Sequence, residues 1–286
     1  MIAAEELYAH LMACRIAGQV ATPRENNLRN YSRFARRDPG VMFGLDPEGS
    51  WDEAEVLELM ARRCGVSADP EHRHGQDTID PDLTVRALDR LAGIVADTAA
   101  RRGAVLLGTG HPRPLGGFYA DLGDALGAAG CAVLTPAHNS PFLMHFPDGA
   151  RSCALGYVRR TAVLRVYEEA PPNGAPRSGA DGGPGPGALS EPVHTHSPQP
   201  VRFALAALAD GGDPRPDLVL GDHGWACGAG RLGVRAAGLA DSNDPGVFVA
   251  EAEGDVELAV PLDDGVRPEC YGLLSAYVLQ QAGMSQ

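Results

Sequence analysis

Acidic residues and a histidine follow two apolar segments of the chain, and residues of these types can bind a cation or transfer protons. Asp222-His223-Gly224 comes directly after the apolar residues 218–220, and Asp241-Ser242-Asn243-Asp244 follows residues 234–239. Carboxylate and amide oxygens are the ligands that Mg²⁺ and Mn²⁺ prefer in proteins. The structural alternatives are a helix-capping aspartate and a polar turn. Two strand ends that both carry carboxylates predict a divalent-metal site, with oxygen ligands from Asp222, Asp241, Asn243 and Asp244.

A second histidine motif, His194-Thr195-His196, has the spacing that places two side chains on one face of a strand. Both imidazoles can then reach the same ion, whereas the alternative is a solvated pair in a loop. We include His194 and His196 among the predicted metal ligands.

A glycine-rich turn, Gly108-Thr109-Gly110-His111, follows the apolar residues 104–107. The backbone amides of such a turn can bind a phosphate, with His111 as an acid or a ligand, although short turns of this kind are common. Arginine is expected to hold the same phosphate, because its planar guanidinium matches the phosphate oxygens and the chain contains no lysine. The predicted substrate-binding residues are Thr109, Gly110, Arg113, Ser197, Arg202 and Gly224.

The composition excludes several classes of protein. The chain has 286 residues, and its 24 basic residues against 37 acidic ones give a formal net charge of −13. A nucleic-acid backbone is repelled by that charge, so no nucleic-acid partner is predicted. The absence of lysine excludes a Walker phosphate loop and a Schiff-base lysine. The sequence also lacks the Gly-x-Ser-x-Gly elbow of many serine hydrolases.

The sequence also bears on membranes and on the cellular compartment. No stretch reaches the roughly 18 consecutive apolar residues that a membrane span requires, so no membrane association is predicted. The first 18 residues carry acidic side chains where a secretory signal carries positive charge, and the six cysteines include no Cys-x-x-Cys pair. These features predict reduced thiols and a cytoplasmic protein. These features do not determine the oligomeric state, and a homodimer is one of the alternatives.

Hydrophobic periodicity divides the chain into a helical N-terminal part, residues 1–100, and an α/β catalytic part, residues 101–286. In the second part apolar strands alternate with helices, which is typical of a mostly parallel, doubly wound sheet that binds ligands beyond the carboxyl ends of its strands. Residues 168–192 are rich in proline and glycine, and we interpret them as a flexible insertion in a β-hairpin, with a disordered middle at 173–187. The predicted fold class is therefore α/β, with the N-terminal helices packed on the sheet.

Three helices are predicted in the N-terminal part. They lie at residues 3–16, after a capping box formed by Ser50 and Glu53, and from Asp80-Pro81 onward. The polar residues 24–37 and 69–80 predict irregular loops between them.

Five short blocks together resemble a family of proteins from high-GC bacteria that are described as predicted phosphatases. The blocks are 108-GTGHPRPLGGFY-119, 194-HTHSPQPVR-202, 221-GDHGWACGAGRLGV-234, 241-DSNDP-245 and 261-PLDDGV-266. The resemblance extends over residues 79–278 and implies a hydrolase that releases phosphate. In that family a strand continues almost directly into the His-Thr-His-Ser block, which implies that residues 168–192 are inserted within one domain.

The sequence therefore predicts a metal-dependent phosphatase that hydrolyses a small phosphomonoester with Mg²⁺ or Mn²⁺. The predicted catalytic residues are His111, His223 and Asp222, with His111 as the acid for the leaving alcohol. A non-catalytic binder of a sugar phosphate or nucleotide and a sugar-phosphate isomerase are the alternatives. The paired acids Asp263-Asp264 are expected to be solvated, because acidic turns are common, or to lie behind the metal ligands without binding the metal themselves.

Overall fold

The computed structural model describes residues 2–168 and 187–284 of the chain. Its helices are α1 (Ala4–Ala13), α2 (Arg24–Ala35), α3 (Pro39–Met42), α4 (Glu53–Cys64), α5 (Pro81–Arg101), α6 (Pro112–Ala128), α7 (Gln199–Gly211), α8 (Gly224–Gly230), α9 (Pro245–Glu253) and α10 (Gly272–Gln281), with a 3₁₀ turn at Pro268–Tyr271. Its strands are β1 (Gly18–Pro23), β2 (Gln76–Ile79), β3 (Ala104–Gly108), β4 (Ala132–Val133), β5 (Pro141–Phe146), β6 (Gly149–Val158), β7 (Thr161–Val166), β8 (Leu218–Gly221), β9 (Ala236–Ala240) and β10 (Leu258–Pro261).

A large sheet forms the centre of the described structure. Its strand order is β10-β9-β8-β3-β7-β6-β5, and the short β4 also pairs with β3. The strands from β10 to β7 run parallel to their neighbours, whereas β6 is antiparallel to both β7 and β5. The predicted α/β class with a mostly parallel sheet is therefore confirmed. A separate small sheet joins β1 to β2 in antiparallel register.

Helices cover both faces of this sheet. The parallel strands β3, β8, β9 and β10 are buried along their whole length, which explains their nearly continuous apolar sequences. Val105 and Leu107 of β3 pack on one face with α1, α5, α6 and α10, while Leu106 packs on the other face with α2, α4, α8 and α9. The N-terminal helices thus contribute to both faces, and the division of the chain at residue 100 stays a prediction.

The prediction of an irregular loop at residues 24–37 is wrong, because most of this segment forms α2. This helix buries the polar residues Arg24 and Asn27 together with Tyr31 and Phe34. Its inward face therefore lacks the apolar periodicity by which an amphipathic helix is recognised.

Two smaller predictions in this region also differ from the structure. Part of the loop predicted at 69–80 forms β2. The cap of α4 is Asp52, whose carboxylate accepts from the amides of Ala54 and Glu55, and not Ser50. The helix that begins after Asp80 is confirmed as α5.

The proline- and glycine-rich insertion begins and ends beside β7. The Glu168 amide donates to the Ala188 carbonyl and the Val193 amide to the Leu164 carbonyl, so the residues after the insertion run back along this strand. Residues 169–186, which include nearly all of the stretch predicted to be disordered, lie outside the described residues. The chain that pairs with β7 leads directly into the His-Thr-His motif.

No helix in the described ranges is both long enough and apolar enough to cross a bilayer. All six cysteines lie in those ranges; they are unpaired and five of them are buried, as expected for reduced structural thiols.

Candidate active site

The carboxyl ends of four parallel strands meet at one edge of the sheet, and a cluster of histidines and aspartates lies there. We call one part the histidine side and the other the acidic side. The histidine side consists of His111 after β3, His223 and Asp222 after β8, and His194 and His196 before α7. The acidic side consists of Asp241 after β9 and Asp263 and Asp264 after β10, while Asp244, at the start of α9, lies between the two.

Asp222 holds two imidazoles of the histidine side. Its fully buried carboxylate accepts from Nδ1 of His111 at 2.8 Å, from Nδ1 of His223 at 3.2 Å and from the Gly110 amide at 3.0 Å. Burial favours the neutral acid, but the hydrogen bonds from both histidines outweigh it and lower the pKa of Asp222. Nε2 of each ring is left to face the cluster, as in metal sites whose histidines are oriented by a carboxylate. These hydrogen bonds orient both imidazoles, and the metal-ligand role predicted for Asp222 stays a prediction.

His223 lies at the centre of the cluster, on the sharp turn between β8 and α8. Its φ of 45° and ψ of −120° are rarely adopted by residues other than glycine, and such strain is concentrated at functional sites. Nε2 lies 2.7 Å from Oδ2 of Asp244 and 3.4 Å from Oδ2 of Asp264. Burial opposes a charge on this ring, but the neighbouring carboxylates of Asp244 and Asp222 raise the pKa of His223 well above its ordinary value.

His194 and His196 converge from one segment of the chain. Their Nε2 atoms lie 2.9 Å apart, and the His196 ring stacks on His223 with centroids 4.2 Å apart. Burial, together with the charge of neighbouring imidazoles, lowers the pKa of His194 to about 4 and that of His196 to about 3. Neutral imidazoles keep the lone pair that binds a cation. Their role as metal ligands stays a prediction.

Two glycines let this histidine segment approach the sheet edge. A Cβ atom at Gly110 would collide with the Thr195 carbonyl, and one at Gly224 would collide with the backbone of Ser197. The Thr195 amide also donates to the Gly110 carbonyl, which fixes the segment in place.

The same contacts involve the residues of the predicted phosphate cradle. The Gly110 amide donates to Asp222, and the Thr109 hydroxyl accepts from the His111 amide at 2.9 Å. The histidine segment covers Gly224 at the start of α8. The polar groups of Thr109 and Gly110 thus organise the cluster, and the histidine segment lies against Gly224. The substrate-binding roles of these three residues stay predictions.

The arginines predicted to clamp a phosphate are Arg113 and Arg202. Nη2 of Arg202 donates to the Gly44 carbonyl at 2.9 Å, and its substrate-binding role stays a prediction. Arg113 is exposed on the first turn of α6 and forms no hydrogen bond or ion pair within the part of the chain that is described. The Ser197 hydroxyl accepts from the Gln199 amide. The substrate-binding roles of Arg113 and Ser197 stay predictions.

The acidic side is buried, and the prediction of a solvated turn at Asp263-Asp264 is therefore wrong. Carboxylate oxygens of Asp241, Asp263 and Asp264 lie within 4.8 Å of one another, and each residue is at most 7% exposed. Burial and the charge of the other two carboxylates raise the pKa of Asp241 well above its ordinary value, and burial raises that of Asp264 to about 6. Carboxylates this close repel each other unless a cation or a proton lies between them.

Asp264 differs from its neighbours in its hydrogen bonding. Asp241 accepts from Thr22 and Asn243, and Asp263 accepts from two backbone amides. Oδ2 of Asp264 is buried and has no hydrogen-bond partner among the described residues. Buried polar atoms are nearly always paired, so an orphaned carboxylate oxygen indicates a missing ion or water.

Three sets of residues have donor atoms close enough to share a cation, and consecutive sets have one residue in common. They are His111, His196 and His223; His223, Asp244 and Asp264; and Asp241, Asp263 and Asp264. Two ligand atoms about 2.1 Å from one cation lie roughly 3–4 Å apart. The separations of Asp264 from His223, 3.4 Å, and from His111, 3.8 Å, agree with this range. The orphaned oxygen and the mixed oxygen and nitrogen donors therefore fit a divalent cation.

Residues of the N-terminal part position the acidic turn after β9, and the sequence analysis did not identify them. Thr22 on β1 donates to Oδ2 of Asp241 at 2.6 Å, and Tyr31 and Asn30 on α2 donate to backbone carbonyls of the turn. Their contact with the site depends on the tertiary fold. The dense polar run 24-RENNLRNY-31 is the signal that could have indicated them.

Phe43 is a further residue that the sequence did not indicate. It is buried, and its ring packs edge-on against His196 and His223 with centroids 5.4 and 5.1 Å away. Its φ of 51° is unusual for an aromatic residue. The ring thus packs against both members of the stacked pair.

Comparisons with known proteins agree with the resemblance that the sequence blocks indicated. A family model described as Phosphatase matches residues 2–286. A relative from Streptomyces coelicolor, named as a phosphatase, is 42% identical over 281 residues, which cover 98% of this chain and 96% of the relative. No solved structure matches the chain significantly. Both matches favour the phosphatase hypothesis over the binder and the isomerase, and both include the N-terminal residues that support the acidic turn.

Proposed function

The chain belongs to the Phosphatase family, and we propose that it is a metal-dependent hydrolase of small phosphomonoesters. Mg²⁺ or Mn²⁺ is the proposed cation, because carboxylates supply most of the donor atoms and hard divalent cations prefer oxygen. Asp241 and Asp244, predicted from the sequence, are proposed ligands. Asp263 and Asp264 join them.

The observation that carries this proposal is the position of Asp264. Its orphaned oxygen belongs to two of the three donor sets, one with His223 and Asp244 and one with Asp241 and Asp263. A buried carboxylate shared by two sets is suited to hold cations on both sides of it. Such a cation neutralises charge on a phosphoryl group and favours attack by water.

The other roles in the reaction are proposed for histidines of the cluster. Asp222 holds the His111 ring through Nδ1, so Nε2 points into the cluster, where it can donate a proton to a leaving alcohol. His223 has carboxylates at both nitrogens, so a cation bound at its Nε2 would take the place of the proton that Asp244 accepts there. His194 is the exposed imidazole of the group, so substrate and solvent reach the cluster beside it.

Phosphate release from a panel of substrates tests the proposal. We expect the purified full chain to hydrolyse p-nitrophenyl phosphate and small sugar phosphates but not bis-p-nitrophenyl phosphate, to lose this activity in a chelator and to regain it with Mg²⁺ or Mn²⁺. Asp264→Asn should lower kcat about 10²–10³-fold, the size of effect seen when one charge-stabilising group is removed from an active site. Asp210→Asn, at the exposed end of α7, is the matched control. Full activity in metal-free protein, or an unchanged kcat in Asp264→Asn, would contradict the proposal.

A further inference from the structure

A cleft of about 650 Å³ opens beside the acidic side of the cluster. Its floor includes Asp241, Asn243, Asp263 and Asp264, and two arginines, Arg15 and Arg267, line it as well. Its volume is in the range of sites that bind small metabolites. A substrate whose phosphate lies on the floor therefore has the rest of its structure within this cleft.

Arg15 presents a charge that no carboxylate neutralises. Its Nε and Nη2 atoms donate to the carbonyls of Gln19 and Val20, both at 3.2 Å, which holds the side chain in place. Within the described ranges no acidic group lies within ion-pair distance of it. Arg15 lines the same cleft as Asp263 and Asp264.

Arg267 also lines the cleft, and its side chain is exposed to solvent. Its side chain is 80% exposed and meets Glu269 at 3.5 Å, where an ion pair contributes little to stability. Arg15 and Arg267 are the cationic side chains among the described residues that line this cleft, in a protein with a net charge of −13. The arginines predicted earlier, Arg113 and Arg202, do not line it.

We propose that Arg15 and Arg267 bind a second anionic group of the substrate, so that the preferred substrate is a phosphomonoester that also carries another phosphate or a carboxylate. This inference rests on the proposed phosphatase function. A guanidinium matches either anion through paired hydrogen bonds. A phosphomonoester of a neutral alcohol carries no second anion for these arginines to bind.

Matched substrates test the inference. Propyl phosphate is compared with 1,3-propanediol bisphosphate, 1,6-hexanediol bisphosphate and 3-phosphonooxypropanoate, the last to distinguish a carboxylate from a phosphate. We expect at least one dianionic substrate to have a KM about 10- to 100-fold lower than propyl phosphate, the effect of one or two charge-assisted contacts. Arg267→Gln should remove most of this preference and leave KM and kcat for propyl phosphate unchanged, and Arg15→Gln should do the same. Arg86→Gln, an exposed arginine on α5, is the control.

Calorimetric binding of the same bisphosphates, with Mg²⁺ present, separates this inference from the proposed function. Binding that weakens about 10-fold in Arg267→Gln supports the inference even if no substrate is turned over, an outcome that would overturn the phosphatase proposal alone. Hydrolysis of propyl phosphate with no preference for a second anion would overturn the inference and leave the phosphatase proposal standing. Equal losses for propyl phosphate and the bisphosphates in Arg267→Gln would overturn it too.

Discussion

The histidine side and the acidic side of the cluster are stabilised in different ways. On the histidine side charges are paired: Asp222 accepts from His111 and His223, and Asp244 accepts from His223 at 2.7 Å. On the acidic side Asp241, Asp263 and Asp264 face one another, and the orphaned oxygen of Asp264 lies among them. On one side the carboxylates are paired with imidazoles, whereas on the other three carboxylates meet, and the nearby imidazole nitrogens of His223 and His111 lie 3.4 and 3.8 Å from Asp264.

This difference indicates what each side contributes. Paired buried charges keep a fixed geometry, because removing one partner leaves the other desolvated and uncompensated. Unpaired buried carboxylates cost stability until a cation binds, and the protein tolerates that cost where binding is the function. We therefore expect the histidine side to act as a rigid frame and the acidic side to respond to a cation.

The largest effect on stability is expected from Asp222→Asn. The substitution keeps the shape but removes the charge that two imidazoles and the Gly110 amide share, so the free energy of unfolding should fall by about 3–5 kcal/mol. Chemical denaturation of the metal-free protein measures this change, with Asp210→Asn as the control, for which a change below about 0.5 kcal/mol is expected. A loss as small as that of the control would show that the frame does not depend on this carboxylate.

Binding of a cation to the acidic side should raise the stability of the protein, whereas Asp222→Asn on the histidine side lowers it. Mg²⁺ or Mn²⁺ at 100 times its dissociation constant stabilises a protein by about 2.7 kcal/mol, which corresponds to a rise in Tm of roughly 4–5 °C for a chain of this size. Asp264→Asn should raise the Tm of the metal-free protein, because one repelling charge is gone, and should reduce the response to the cation. If the wild-type Tm does not change with either cation, or Asp264→Asn lowers the metal-free Tm, the two sides do not differ as described.

Thr22→Val tests whether the N-terminal part supports the acidic side. The two side chains have nearly the same shape, but valine lacks the hydroxyl that donates to Asp241 at 2.6 Å. Hydrogen bonds to charged groups contribute about 1.5–3 kcal/mol, so the free energy of unfolding should fall by that amount and the affinity for Mg²⁺ should weaken. The exposed Thr135 provides the matched control, Thr135→Val. An unchanged cation affinity would show that this contact does not position Asp241.

The histidine side was largely predictable from the sequence, because its residues come directly after apolar strands. The run at 218–220 is buried on both faces as β8, and the turn that follows it carries Asp222 and His223. Parallel strands bring such turns to one edge whatever the details of packing. What the sequence did not show is the division of roles, since only the contacts reveal that Asp222 orients the imidazoles.

The acidic side was harder to predict, because its burial is produced by distant parts of the chain. Asp263-Asp264 has the sequence of an ordinary solvated turn, yet the Ala21 amide donates to Asp263 from β1, and the Asp263 amide donates to the Ile16 carbonyl. α2 was missed for a related reason, since the residues it turns inward are polar. Hydrophobic patterns find elements that pack on an apolar core, and they do not find elements that pack on a polar site.

The smallest effect is expected from shortening the insertion that precedes the histidine side. Deletion of residues 173–186 removes a segment rich in proline and glycine, and the Glu168 amide already donates to the Ala188 carbonyl at 2.8 Å, so the remaining chain can close the gap. A connection about fourfold shorter has a smaller loop-closure entropy, and the free energy of unfolding should stay the same or rise by about 1 kcal/mol. Because residues 188–193 pair with β7 independently of the deleted segment, His194 and His196 should keep their positions, and phosphate release with Mg²⁺ should stay within about twofold of wild type. Thermal unfolding and the p-nitrophenyl phosphate assay measure both. A Tm several degrees lower, or activity lost with the fold intact, would show that the insertion packs on the histidine side and belongs to its frame.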